Sequence, residues 1–186
     1  MSVANEEEAG LMHRVQDGAA VRQWSGWRWL PVTLAVIGVD QLIKAWIVGH
    51  LTLNGTVRLL PVLDITLTYN RGAAFSFLAD ASGWQKWLFA GLAVAVAAGI
   101  VLWLKRLNGR TQWMLCLSLT LILGGALGNL IDRLRIGHVV DFILAHWHRV
   151  YFPWAFNVAD SAITVGAALL LIDAWLESRS SKKENV

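Results

Sequence analysis

The chain has 186 residues, 56% of them hydrophobic and only 16% charged, with a mean hydropathy of +0.50. That is too apolar for an ordinary soluble domain, and at this length one domain is expected. The net charge of +3 carries no basic run, so no nucleic-acid partner is expected.

Eleven tryptophans and sixteen glycines against three prolines fit a helical membrane protein. Such proteins use Gly for close helix packing and Trp at the interfaces. The single cysteine, Cys116, lies in an apolar run; it excludes an intrachain disulfide and reads as a small buried hydrophobe.

Residues 1–23 are polar, with Glu6, Glu7 and Glu8 in a row and Arg14 and Arg22 beyond. They read as a disordered cytoplasmic extension. They do not read as a cleaved signal peptide, because the apolar run that follows is broken by Asp40 and Lys44. A membrane domain is expected over 24–177 and a polar cytoplasmic tail over 178–186.

The first span is expected at about 29–49. Asp40 and Lys44 stand four apart on one helical face. Two readings are open: an ion pair that makes insertion tolerable, or Asp40 turned inward to support a polar site while Lys44 snorkels outward. Residues 50–83 form a first external segment. There Leu59, Leu63, Ile65, Leu67 and Tyr69 alternate with Asp64, Thr66 and Thr68, which predicts a half-buried strand over 59–69. A turn at Asn70-Arg71-Gly72 leads to AAFSFL at 73–78, an apolar stretch able to dip into the membrane. Strand edges are not tolerated in lipid, so the sheet must lie outside the hydrocarbon.

The second span is expected at about 87–104, and Lys105, Arg106 and Arg110 form the loop after it. The third, about 111–131, carries a small-xxx-small pattern at Gly124 and Gly128 that permits close helix approach. Residues 134–153 are a second external segment in which Trp147, Tyr151 and Trp154 suit an interface. The fourth span is expected at about 154–176. Nine basic residues fall on the side of the termini and six on the other, which predicts N-in/C-in.

Asn129, Asp132, Arg133, Asp141, Asn157 and Asp160 then gather near the outer membrane face. Ionisable groups are costly there and mark function. Asp141 is expected at the interface and Asp160 about five residues inside span four, roughly 8 Å deep. Two carboxylates that close share a proton. One can activate water while its protonated partner polarises a scissile carbonyl. Spacing alone leaves Asp132 competing with Asp141, although Arg133 beside it suggests a supporting ion pair.

Other chemistries are weaker. His138, Asp141, His146 and His148 can be drawn as a metal site, but external histidines are more ordinarily solvated. Ser76 and Ser161 have no histidine placed by spacing. Asp160-Ser161-Ala162 has no second copy, as an aspartic protease of the soluble type would need. A transporter or channel relaying ions through Asp40 and Asp160 is the rival from another class, small for one without an internal repeat. A structural membrane subunit is the plainest alternative.

Five motifs, in order, carry a resemblance: DQLIK at 40–44, NRGAAFSFL at 70–78, GNLIDR at 128–133, VVDFI at 139–143 and FNVAD at 156–160. Over roughly 29–176 the chain resembles lipoprotein signal peptidase, signal peptidase II. The resemblance implies a four-helix aspartic endopeptidase of the bacterial cytoplasmic (inner) membrane with a small extracytoplasmic β-element. Its substrates would be diacylglyceryl-modified prolipoproteins, cut before the lipidated cysteine near the extracytoplasmic face. It implies Asp141 and Asp160 as the catalytic pair, with Asp40, Asn70, Asn129, Arg133 and Asn157 around them. Lys44, Arg71 and Asp132, which neighbour these residues in the motifs, are expected as further supporting or substrate-binding residues. No cofactor or metal is expected, membrane lipid is the surrounding partner, and the enzyme is expected as a monomer. The extension at 1–23 is not part of the pattern.

Overall fold

The computed structural model describes residues 24–70, 72, 83–147 and 150–184. The expected extension at 1–23, Arg71, the stretch at 73–78 and His148 lie outside the described residues. A short 3-10 helix, Gly26–Trp29, leads into α1, Leu30–His50, with Pro31 in the first turn, where a missing N–H leaves no bond unmade. The other helices are α2, Gln85–Arg106; α3, Trp113–Ile136; and α4, Val158–Glu184. Among the described residues these four helices are long and apolar enough to cross a membrane.

The third helix is the buried centre, with twelve buried residues, and it packs against the other three. Glycine makes that possible. A Cβ on Gly124 would come 2.7 Å from Val36 of α1, and one on Gly128 would come 2.9 Å from Asp40. The small-residue pair therefore does what its spacing predicts and brings α1 against α3. Gly125 gives the same close approach to the α4 backbone at Ala159. The helix ends at Gly137, whose φ of 83° is the left-handed conformation of a C-terminal cap.

The sheet is larger than the sequence predicts. β1 (Thr56–Leu60), β2 (Leu63–Asn70), β3 (Val139–Trp147) and β4 (Val150–Tyr151) pair antiparallel in the order β1-β2-β3-β4. The single strand expected over 59–69 is a hairpin turning at Pro61-Val62, and β3 comes from the second external segment. Ile47, Leu67, Val140 and Phe142 form a buried cluster that docks the sheet on the end of α1. A second cluster, built on Leu104, Cys116 and Leu119, joins α2 and α3 at the other end.

Candidate active site

The site is built on the start of α4. Phe156 bridges to Ile143 of β3, so the chain is still extended there and the helix begins at Val158. That is four residues later than the sequence suggests, and it places Asp160 in the first turn rather than five residues inside. Asn157 caps the helix. Its Oδ1 accepts from Asp160 N at 2.9 Å, while Asp160 Oδ2 accepts from Asn157 N at 3.2 Å. This reciprocal pair is a capping box in which the returning acid is Asp160. Asp40 of α1 accepts from Ala159 N at 3.0 Å and satisfies another N–H of the same turn.

The same Asn157 reaches the other carboxylate. Its Nδ2 donates to Asp141 Oδ1 at 2.8 Å, and it is fully buried. Asn129 Nδ2 donates to Asp160 Oδ1 at 2.8 Å. Asn70 Nδ2 donates to Asp141 Oδ2 at 3.2 Å. Asp141 and Asp160 thus stand at one site, each held by two amide donors.

Asn70 reaches Asp141 because β2 bulges. Asp64 pairs with Leu144 and Ile65 with Ile143, but Thr68 pairs with Asp141 and Asn70 with Val139. The extra residue on β2 moves every later side chain to the other face. Without it Asn70 would share a face with Phe142 and Leu144, away from Asp141. Thr66 and Leu67 are both buried at the slip, so the expected alternation breaks there.

Behind the amides lies a buried ionic cluster. Lys44 Nζ is 2.8 Å from Asp40 Oδ2, 2.8 Å from Asp132 Oδ2 and 3.0 Å from Asn129 Oδ1. Lys44 is only 3% exposed, so it does not snorkel outward; it turns inward with Asp40. Asp132 pairs with Lys44 rather than Arg133, and it also accepts from Val140 N at 3.2 Å. Gln41, which the sequence reading did not single out, donates to Asp132 Oδ1 at 2.9 Å. Arg133 Nη2 donates to Gly72 O at 2.9 Å, holding the end of β2 to α3.

Asp141 is 4% exposed. Burial, and then the neighbouring Asp160 carboxylate, push its carboxyl from the ordinary carboxylate range up to about 7. A cleft of about 750 Å³ opens from the carboxylates between α2, α4 and the 152–156 segment. Besides the carboxylates its polar lining is Asn70, Asn129, Arg133, Ser161 and Thr164; the remaining walls are apolar, including Phe89, Val96, Ile122, Phe152, Trp154 and Ile163. Such a cleft suits an apolar chain presented to the two carboxylates.

The histidine reading changes. His146 lies on the face of β3 opposite Asp141, is 6% exposed and sits 3.3 Å from Asp64 Oδ1. Tyr151 OH donates to Asp64 Oδ2 at 3.3 Å, so strands β2, β3 and β4 share one polar knot around the buried Asp64 and His146. Among the described residues no three His, Cys, Asp or Glu side chains gather in a metal-binding arrangement. Ser161 Oγ donates to Asn157 O at 2.9 Å, and Ser76 lies outside the described residues.

The sequence pattern of the signal peptidase II family matches residues 32–176. A lipoprotein signal peptidase of Pseudomonas aeruginosa is 54% identical over 156 residues, covering 83% of this chain and 91% of that protein. One of Pseudomonas fluorescens is 52% identical over 165 residues, covering 88% and 96%. A bacterial membrane enzyme of known structure superposes with a TM-score of 0.73 at 31% identity, covering 84% of this chain and 92% of that one.

Proposed function

The chain belongs to the signal peptidase II family, and we propose that it removes signal peptides from lipid-modified precursors using Asp141 and Asp160 as its acid/base pair. It is a multi-pass bacterial membrane protein. The ion-relay reading gains no support from the relatives, which are peptidases by name.

What carries the aspartic reading is Asn157. One residue caps the helix through Asp160 and donates its side-chain amide to Asp141, so the two carboxylates are fixed relative to each other. In the proposed assignment Asp141, whose carboxyl burial and the neighbouring Asp160 push up to about 7, carries the proton that the pair shares. In the proposed reaction Asp160 takes a proton from water as that water attacks the scissile carbonyl carbon. Asp141 gives its proton to the carbonyl oxygen. Collapse of the diol then breaks the C–N bond: Asp160 protonates the leaving nitrogen, and Asp141 recovers its proton from the hydroxyl.

The apolar cleft would receive the signal peptide, and the cut would fall before a diacylglyceryl-modified cysteine, as the family resemblance implies. We place the termini in the cytoplasm and the carboxylates near the extracytoplasmic face of the cytoplasmic membrane, following the basic-residue bias. Asp141→Asn and Asp160→Asn test the pair, since each keeps its shape and removes one titratable group. Each purified variant, still folded by size-exclusion chromatography in detergent, should lose cleavage of a lipidated precursor by at least about 10²-fold. A variant keeping about a tenth of the wild-type rate would take that residue out of the proton transfers.

A further inference from the structure

We infer that Trp24, Arg28 and Arg110, at the end of the bundle far from the carboxylates, form a binding site for the phosphate of an anionic membrane lipid. The site joins two separate parts of the chain. Arg28 comes from the 3-10 helix before α1, and Arg110 from the loop between α2 and α3. Both guanidinium groups lie over one indole, Arg28 Cζ at 4.1 Å and Arg110 Cζ at 5.1 Å from the centroid of Trp24. Lys105 Nζ stands 5.9 Å from the ring of the neighbouring Trp27.

The arrangement is built rather than draped. Gly26 N donates to Leu107 O at 3.0 Å, and Gly109 N donates to Trp24 O. Trp27 Nε1 donates to Val101 O and Trp29 Nε1 to Gly109 O, each at 2.9 Å. A Cβ on Gly26 would come 2.6 Å from Leu104 O, so glycine alone lets the segment cross so closely. Asn108 Oδ1 accepts from Arg110 N at 3.0 Å and fixes the loop that presents this arginine.

Charge then points to the ligand. Among the described residues no carboxylate pairs with Arg28, Lys105 or Arg110; Asp173 and Glu177 on α4 pair with none of them. Two cations on one ring repel each other, and the repulsion is relieved by an anion that accepts from both. A phosphodiester has the oxygens for two planar guanidinium forks. The position selects a lipid rather than free phosphate. The site lies where spans begin and end, and Trp24 and Trp27 are each 44% exposed. One turn earlier on α2, exposed Leu102 and Trp103 continue the surface along the span, where acyl chains lie.

The test uses the full chain in phosphatidylcholine nanodiscs, with phosphatidylglycerol or inorganic phosphate supplied as separate arms. Phosphatidylglycerol should raise the wild-type melting midpoint by about 5 °C. Arg28→Gln/Arg110→Gln should lose most of that shift, whereas Lys86→Gln, at the opposite end of α2, should keep it. Should the double glutamine variant fail to fold, Arg28→Lys/Arg110→Lys keeps both charges without the forks and should show less than half the shift. An unshifted wild type, a full shift in either double variant, or an equal response to inorganic phosphate would overturn the lipid site.

Discussion

Asn157 and Asp160 each accept the other's backbone N–H, so one acid of the proposed pair is also a structural member of a helix cap. Cap and chemistry can be separated, because only the side-chain amide of Asn157 reaches Asp141. Serine caps helices about as well as asparagine. Asn157→Ser should therefore keep the cap, lose about 1–3 kcal/mol because the amide also donates to the buried Asn129 Oδ1 and Val140 O, and cleave about 10²-fold more slowly. Asn157→Ala should lose both. Equal activity in Asn157→Ser and wild type would show that the amide does not position Asp141.

The carboxyl of Asp141 sets a pH limit. Its value of about 7 means that the proton is held below that pH and lost above it. As the proposed proton donor to the carbonyl oxygen, Asp141 would fail once ionised, so kcat/KM should fall as pH rises through about 7. Stability moves the same way. An unfolded aspartate titrates near 4, so the folded chain binds this proton more tightly and its advantage fades between about pH 4 and 7. Melting midpoints across that window should decline for wild type and flatten in Asp141→Asn. Chelators should leave the wild-type rate unchanged; loss in EDTA with rescue by zinc would reassign the chemistry.

Lys44 neutralises two buried carboxylates, Asp40 and Asp132, and also steadies Asn129. Removing it leaves both acids unpaired in a buried setting, which costs about 3–5 kcal/mol. Lys44→Met should accordingly yield little folded protein by size-exclusion chromatography in detergent. Lys44→Met/Asp132→Asn should recover part of the loss, because one stranded charge is gone. If the double variant behaves like the single one, the cluster is not held together by this pairing.

The spans and the carboxylates were legible because each is a local signal: an apolar run of span length, and polar residues that interrupt it at cost. Strand β3 was not. VVDFILAHW is nearly continuous in apolar residues, so it lacks the alternation of a half-buried strand. Its Val140, Phe142 and His146 are buried on the face opposite Asp141, and Val139 is buried on the same face as Asp141. The bulge in β2 depends on pairing with that strand and leaves no local mark, although it brings Asn70 to Asp141. The knot of Asp64, His146 and Tyr151 is equally non-local, since its members come from three strands. The start of α4 did have a signal. Asn157 followed three residues later by Asp160 is a capping pattern, and it argues for a helix beginning at 158 rather than 154.

The apolar cleft bears on what the lipid of a substrate would do. Asp160 in the first turn of α4 and Asp141 on β3 put the proposed cleavage point where the span begins, not deep inside it. A helical signal peptide shields its backbone hydrogen bonds, so it must unwind locally before water can attack. A diacylglyceryl group on the cysteine would bury two chains at about 0.8 kcal/mol per methylene and so fix the height of the scissile bond. The lipid would then act as a positioning anchor, and the peptide in the cleft as a weaker filter. One precursor, prepared with and without the lipid and assayed in the same bilayer, separates these roles. The lipidated form should show the higher kcat/KM by at least about 10²-fold. Equal values would remove the anchor and leave the aspartate pair untouched, because depth and proton transfer rest on different residues.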